Sequence, residues 1–216
     1  VDDFEAGITH VIRGEDHVSN TARQILIQRA IGAPIPIYAH IPLVLGVDKL
    51  KLSKRRGALP LTEYKKLGFL PQAILNGVAF VGWNPGTEKE IFTHNELVKA
   101  FDLSRVQKSP AILNEEKLEW FNKEHIKLLP KNEVEKNILE WLPESMKNIK
   151  LASIILERIS KWGDVKDTVA RGELDFFFKQ PKYSKEKLVF KNTSAEKISE
   201  NLKEAINALE TLDEIF

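Results

Sequence analysis

Ile8-Thr9-His10-Val11-Ile12-Arg13-Gly14-Glu15-Asp16-His17 opens the stretch of sequence that decides the fold. Residues 8–12 are apolar apart from Thr9 and His10, which predicts a short strand ending at Arg13. Ser19, Asn20 and Thr21 are helix-capping residue types, and residues 22–31 have helical composition. Gly32 suits the position after a helix end, and Pro34 blocks continuation. Residues 37–47 are apolar enough for a second buried strand, although Pro42 cannot donate to a ladder in its middle. Strand, helix and strand make a βαβ unit, which implies a parallel sheet. Ligands of open α/β sheets bind outside the carboxyl ends of the strands. Residues 13–17 follow the first strand, and Lys51-Leu52-Ser53-Lys54-Arg55 follow the second. Both segments are therefore expected at one crevice.

Outward from this unit the composition changes. Pro71 suits the first turn of a helix reaching about residue 81, and residues 82–86, Gly-Trp-Asn-Pro-Gly, form a turn. Beyond residue 93 nearly everything reads as helix. Thr93 with Glu96 makes a capping box for a helix to Phe101, and Asn114 caps the next helix. Helical patterns follow over residues 132–141 and 151–162. Thr193 with Glu196 opens a last helix with Ile198, Leu202, Ile206 and Leu209 on one stripe. The expected fold class is α/β followed by mostly α. Phe176-Phe177-Phe178 reads as core packing. Lys182, Lys185, Lys187 and Lys191 read as a solvated face or as an RNA contact.

Composition sets the outer bounds. Hydrophobic residues make up 43% and charged residues 29% of 216, a globular balance rather than a disordered one. No apolar run reaches the roughly 20 residues needed to cross a bilayer, so no membrane is expected. Cysteine is absent, which excludes disulfides and thiolate zinc sites and makes a cytoplasmic protein the natural reading. The histidines show no helical metal-site spacing, so no metal site is expected in the chain itself. The chain opens without Met and without the basic start and apolar stretch of a signal peptide, and it reads as a piece of a longer protein. The net charge of +1 does not announce nucleic acid. Locally, however, Lys49, Lys51, Lys54, Arg55 and Arg56 fall close together and are opposed nearby only by Asp48. Such a stretch is either a solvated basic loop or a polyanion site.

The chemistry that the second option suits is phosphoryl or nucleotidyl transfer. Charge builds on phosphate oxygens as ATP reacts, and lysine ammonium groups placed there stabilise it most in the transition state. Arg13, at a strand end, can hold a carboxylate with its bidentate fork, or it can pair with Glu15 or Asp16. Glu15 and Asp16 could also form an acid/base pair. Val44 by itself reads as a buried strand residue. No P-loop and no Gly-rich dinucleotide fingerprint is present.

Lys51-Leu52-Ser53-Lys54-Arg55 resembles the KMSKS-type signature of class I aminoacyl-tRNA synthetases, in the form typical of the bacterial-type glutamyl-tRNA synthetase family. The segment from Ile8 to His17 with Ser19-Asn20-Thr21, the segment His40-Ile41-Pro42-Leu43-Val44-Leu45-Gly46, and Gly68-Phe69-Leu70-Pro71-Gln72-Ala73-Ile74-Leu75-Asn76 resemble that family in the same order. His40-Ile41-Pro42-Leu43 is not the family's HIGH motif, because it lacks the Gly and the second His. The resemblance puts that motif upstream of Val1, so this chain alone is expected to be inactive.

The resemblance implies the second half of a Rossmann-type catalytic domain in residues 1–60. It implies a helical stem-contact region in 61–130 and the start of a helical anticodon-binding domain in 131–216. It implies that Arg13 binds L-glutamate. It implies that Asp16, His17, Val44, Lys51, Leu52, Ser53, Lys54 and Arg55 bind ATP, with Lys54 as the catalytic cation. The implied function is glutamate–tRNA ligation with ATP and Mg²⁺ by a monomeric protein whose partner is tRNA-Glu. A paralogue that glutamylates a modified base would share these segments, but the long helical tail argues against it. Another class I synthetase such as the glutaminyl enzyme is a second possibility, and a non-catalytic RNA-binding fragment is a third.

Overall fold

The computed structural model describes residues 1–52, 59–180, 182, 184 and 193–210. After the short helix α1 (Asp2–Glu5), β1 (His10–Gly14) and β2 (Ile37–Ile41) pair in parallel, and α2 (Val18–Ala30) crosses between them. The βαβ unit expected from the sequence is thus present. Its register sets Val11 against Tyr38 and Arg13 against His40. Side chains alternate across a strand, so these four share one face. Helix α2 lies on that face, where the Tyr38 hydroxyl donates to Gln28 Oε1 at 3.3 Å. The opposite face carries Ile12, Ile37 and Ile41, all exposed.

In this first part of the chain three boundaries differ from the sequence reading. β1 begins two residues later than expected and runs through Gly14. Helix α2 starts at Val18, so Ser19, Asn20 and Thr21 lie inside its first turn instead of capping it. The cause is the 3-10 turn Glu15–His17, which feeds directly into the helix and leaves no separate capping step. The apolar run 37–47 breaks at Pro42 into β2 and β3 (Val44–Leu45). β3 pairs in parallel with β4 (Ala111–Ile112) rather than with β2, giving two two-stranded pieces.

The helices that follow are α3 (Leu61–Lys66), α4 (Pro71–Ala79), α5 (His94–Ala100), α6 (Glu115–Lys127) and α7 (Lys131–Trp141). After them come α8 (Ala152–Arg158), α9 (Asp164–Ala170) and α10 (Ala195–Glu210). Local chemistry explains most of their starts. Pro71 sits in the first turn of α4. Thr93 and Glu96 close the predicted capping box at α5. The Lys89 ammonium, then the Thr93 backbone and hydroxyl, hold the Glu96 carboxyl down at about 2. Asn114 Oδ1 accepts from Lys117 N at the start of α6. At α10 the cap is Ser194, whose Oγ accepts from Lys197 N, one residue after the predicted Thr193.

The helix predicted over residues 151–162 is two helices. α8 ends at Arg158, and the Asp164 carboxylate accepts from Ser160 N and Lys161 N ahead of α9. The turn between them docks on the chain just after α3. Trp162 N donates to Gly68 O and Gly163 N donates to Leu67 O, each at 3.1 Å. This joint admits no side chain at Gly163, since a Cβ there would lie 2.5 Å from Leu67 O.

Helix α6 links the apolar clusters. Leu118 packs with Phe69 and Ile74, whereas Ile126 belongs to a larger cluster with Ile138, Ile155 and Val165 from α7, α8 and α9. Phe176, Phe177 and Phe178 are exposed at 53%, 37% and 37%, which corrects the core reading. Burial preference misled there because the three are consecutive across a 3-10 turn, Asp175–Phe177, and the residue that ends it, and such a turn cannot face all of them inward. Lys185, Lys187 and Lys191 lie outside the described residues. Among the described residues no helix is long and apolar enough to cross a membrane.

Candidate active site

The carboxyl end of β1 delivers Arg13, and Gly14 turns the chain into the 3-10 turn Glu15–His17. Glycine leaves room there for the Asp16 carboxylate to fold back, since a Cβ at Gly14 would lie 2.5 Å from Asp16 Oδ1. Glu15 Oε1 accepts from Leu43 N at 3.1 Å, tying this turn to the chain between β2 and β3.

Beyond β3 the chain reverses at once. Gly46 N donates to Leu50 O, Leu50 N donates to Asp48 Oδ1, and Lys49 takes a left-handed conformation with φ 59°. Leu52 N then donates to Val44 O at 3.0 Å, and Lys51 bridges back to Leu45. This small hairpin aims Lys51 at the acidic turn, where its Nζ lies 2.6 Å from Asp16 Oδ2. The hydrogen bond from Lys51 holds the Asp16 carboxyl below the usual carboxylate range, against the opposing cost of desolvation. Both partners remain open to solvent, with 57% and 38% of their side chains exposed, so the pair marks position more than stability.

The structure therefore brings Arg13, Asp16, His17 and Lys51 to one edge, with Val44 and Leu52 on the adjoining hairpin. His17 is exposed, and its ring Nδ1 lies 3.4 Å from Asn20 Nδ2. Val44 is 37% exposed and its carbonyl is taken by Leu52 N, so it is not a buried strand residue. Ser53, Lys54 and Arg55 lie outside the described residues. Arg13 is paired with neither Glu15 nor Asp16. Its Nη2 donates to Thr21 Oγ1 at 2.7 Å and its Nε donates to His40 Nε2 at 3.3 Å. Sequence reasoning gave Thr21 and His40 no role beyond their segments. The available signal was the shared face of Arg13 and His40 once the strands are paired.

This edge presents an arginine fork, a hydrogen-bonded acid and an ammonium within one short stretch of surface. Such a set suits a ligand carrying a carboxylate beside phosphate. Among the described residues no three His, Asp or Glu side chains gather to hold a metal ion.

Residues 1–120 match the family model described as tRNA synthetases class I (E and Q), catalytic domain. A glutamate–tRNA ligase of Carboxydothermus hydrogenoformans is 53% identical over 127 residues, 59% of this chain and 26% of that protein. One from Nitrosomonas europaea is 41% identical over 177 residues, 79% of this chain and 38% of that protein. Among solved structures, a glutamate tRNA ligase from Elizabethkingia meningosepticum in complex with its amino acid superposes with a TM-score of 0.79. It is 31% identical and covers 98% of this chain and 46% of that one. The chain thus spans between a quarter and two fifths of these two curated relatives, and under half of the solved one.

Proposed function

Because this chain belongs to the class I tRNA synthetase family of the E and Q type, we propose that its parent protein is a glutamate–tRNA ligase. In this reading a carboxylate oxygen of L-glutamate attacks the α-phosphate of ATP. Pyrophosphate leaves, and the glutamyl group then passes from the adenylate to the terminal ribose hydroxyl of tRNA-Glu. The attacking carboxylate is already ionised near neutral pH, so the step needs no protein base. That removes the need for an acid/base reading of Glu15 and Asp16, each of which has one oxygen engaged, by Leu43 N and by Lys51.

The observation that carries the reading is the contact of Lys51 with Asp16, which joins the start of the cationic stretch to the turn that follows Arg13. On it rest the proposed roles. Arg13 anchors glutamate. Asp16, His17, Val44, Lys51 and Leu52 border ATP with Ser53, Lys54 and Arg55, and Lys54 supplies the main transition-state charge. The described residues offer no magnesium cage: of the two acids in the turn after β1, Glu15 accepts from Leu43 N and Asp16 is held by Lys51. Mg²⁺ needs few protein ligands when phosphates supply the rest, and would arrive with ATP. Residues 1–60 are read as part of the catalytic domain, 61–130 as a helical tRNA stem-contact region, and 131–216 as the start of an anticodon-binding domain.

The test is glutamate-dependent exchange of pyrophosphate into ATP, with tRNA-Glu present, by the full-length protein. Exchange with glutamate and none with glutamine is expected, and the reverse preference would overturn the assignment. The 216-residue chain alone is expected to be inactive, because it spans so little of its relatives.

A further inference from the structure

The guanidinium of Arg13 is bonded along one side before any ligand arrives. Nε donates to His40 Nε2 at 3.3 Å, and Nη2 donates to Thr21 Oγ1 at 2.7 Å, with the His17 carbonyl 3.4 Å from the same nitrogen. The Tyr38 ring lies 5.1 Å from the guanidinium carbon, and the His40 ring stacks parallel to Tyr38 at 6.3 Å. One edge and one face of the group are thus taken. A guanidinium carries five N–H donors in a fixed plane. Among the described residues, Nη1 has no hydrogen-bond partner. The free end of the fork is therefore the Nη1 end, not the side that carries Nε.

We infer that His40, assisted by Thr21, is a positioning residue that selects which edge of Arg13 meets the substrate carboxylate. The inference rests on the reading of Arg13 as the glutamate anchor. His40 can accept from Arg13 Nε only while its Nε2 carries no proton, which places the ring hydrogen on Nδ1. Thr21 serves as a hinge in the same network: its Oγ1 lies 3.1 Å from the His17 carbonyl and 3.0 Å from His40 Nε2. Its single hydrogen goes to one of them, and its oxygen still accepts from Arg13. Without the His40 acceptor the long arginine side chain is free to turn its Nε edge outward. Binding must then select one of several rotamers, which weakens the carboxylate contact but leaves the chemistry at phosphate untouched.

The experiment uses the full-length protein and steady-state pyrophosphate exchange, with His40→Leu, His40→Gln, Thr21→Val and Arg13→Ala. Leucine removes the acceptor, whereas glutamine presents an oxygen near the place of Nε2. We expect His40→Leu and Thr21→Val to raise KM for glutamate roughly tenfold, the worth of one well-placed hydrogen bond. KM for ATP and kcat stay within about twofold, as expected for a lost ground-state contact, and His40→Gln restores most of the glutamate affinity. If Arg13→Ala raises KM for glutamate while both His40→Leu and Thr21→Val leave it unchanged, positioning is wrong and the anchor stands. Should Arg13→Ala itself leave it unchanged, the anchor falls and the inference with it. Parallel loss of kcat and both KM values, with no rescue by glutamine, would mean that His40 only supports the fold.

Discussion

Asn122 offers the sharpest test of how the helical part is joined. It lies on α6 at 0% exposure. Its Oδ1 accepts from Leu70 N at 2.7 Å, just ahead of α4, and its Nδ2 donates to Ser160 O at 2.6 Å, in the turn before α9. One amide thus ties three separate parts of the chain. Asn122→Ala strands a donor and an acceptor together, and each stranded buried group costs about 1–3 kcal/mol. Leu70 and Ser160 are only half-buried, so water recovers part of this, and about 2–4 kcal/mol in total is expected. For a chain of this size that corresponds to a melting point lower by roughly 4–16 °C. The assay is thermal unfolding followed by circular dichroism, with hydrogen exchange at the Leu70 amide as a local readout. Asn122→Asp separates the two bonds. Its carboxylate still accepts from Leu70 N but sets a negative oxygen against the Ser160 carbonyl. It should be no better than alanine at neutral pH and should recover in acid, where the protonated acid regains a donor. A melting point within about 2 °C of the parent, with the Leu70 amide still protected, would refute the reasoning, because a tie worth less than 1 kcal/mol holds nothing together.

The docking of Gly163 on Leu67 gives a second prediction. Gly163→Ala should destabilise by about 2–3 kcal/mol through loss of the two backbone bonds at that joint, and an unchanged denaturation midpoint at unchanged slope would contradict it. A third concerns His125, which is buried and lies with Nε2 3.0 Å from Asn76 Oδ1. Burial pushes its imidazole below the ordinary value. As pH falls below about 6.5 the unfolded chain takes up a proton that the folded chain refuses, so stability drops until the depressed folded value is reached. Urea midpoints at pH 7.5 and 5.5 should diverge in the parent and converge in His125→Gln; equal divergence in both would remove His125 as the cause. Finally, Lys54→Ala in the full-length protein should lower the adenylation rate far more than glutamate affinity. Equal loss of both would mean that Lys54 only shapes its loop.

What was legible in the sequence is what local chemistry decides. The capping box at Thr93, the cap at Asn114 and Pro71 in the first turn of α4 each need only residues within a few positions. The start of α2 was not legible, because the helix continues directly from a 3-10 turn with no side-chain cap, and that turn is tied by Glu15 to Leu43, 28 residues away. The joint of Gly163 with Leu67 and the tie through Asn122 span 96 and 52 residues respectively. No pattern of period 3.6 encodes such links. A trace of the second was nonetheless present: Asn122 follows Phe121 on the stripe of Leu118, Phe121, His125 and Ile126 that α6 buries. A polar residue on an apolar face has to find partners, and at this position it found two.

The candidate site shows the same division at closer range. Its residue types could be read from two short segments, but their meeting depends on the pairing of β1 with β2. A shift of that pairing by a single residue turns every side chain of one strand to the other face. Arg13 would then face the exposed side with Ile41, and His40 would have no donor to accept from. The register is fixed between the strands by α2 and by the Gly32 turn, whose φ of 70° lets Ala33 N return to Gln28 O. The length of that crossover therefore controls the chemistry at the sheet edge, although no residue in residues 22–36 touches Arg13 in any bond described. An insertion of one residue there would be read by Arg13 before it was read by the core, since α2 buries no side chain of its own.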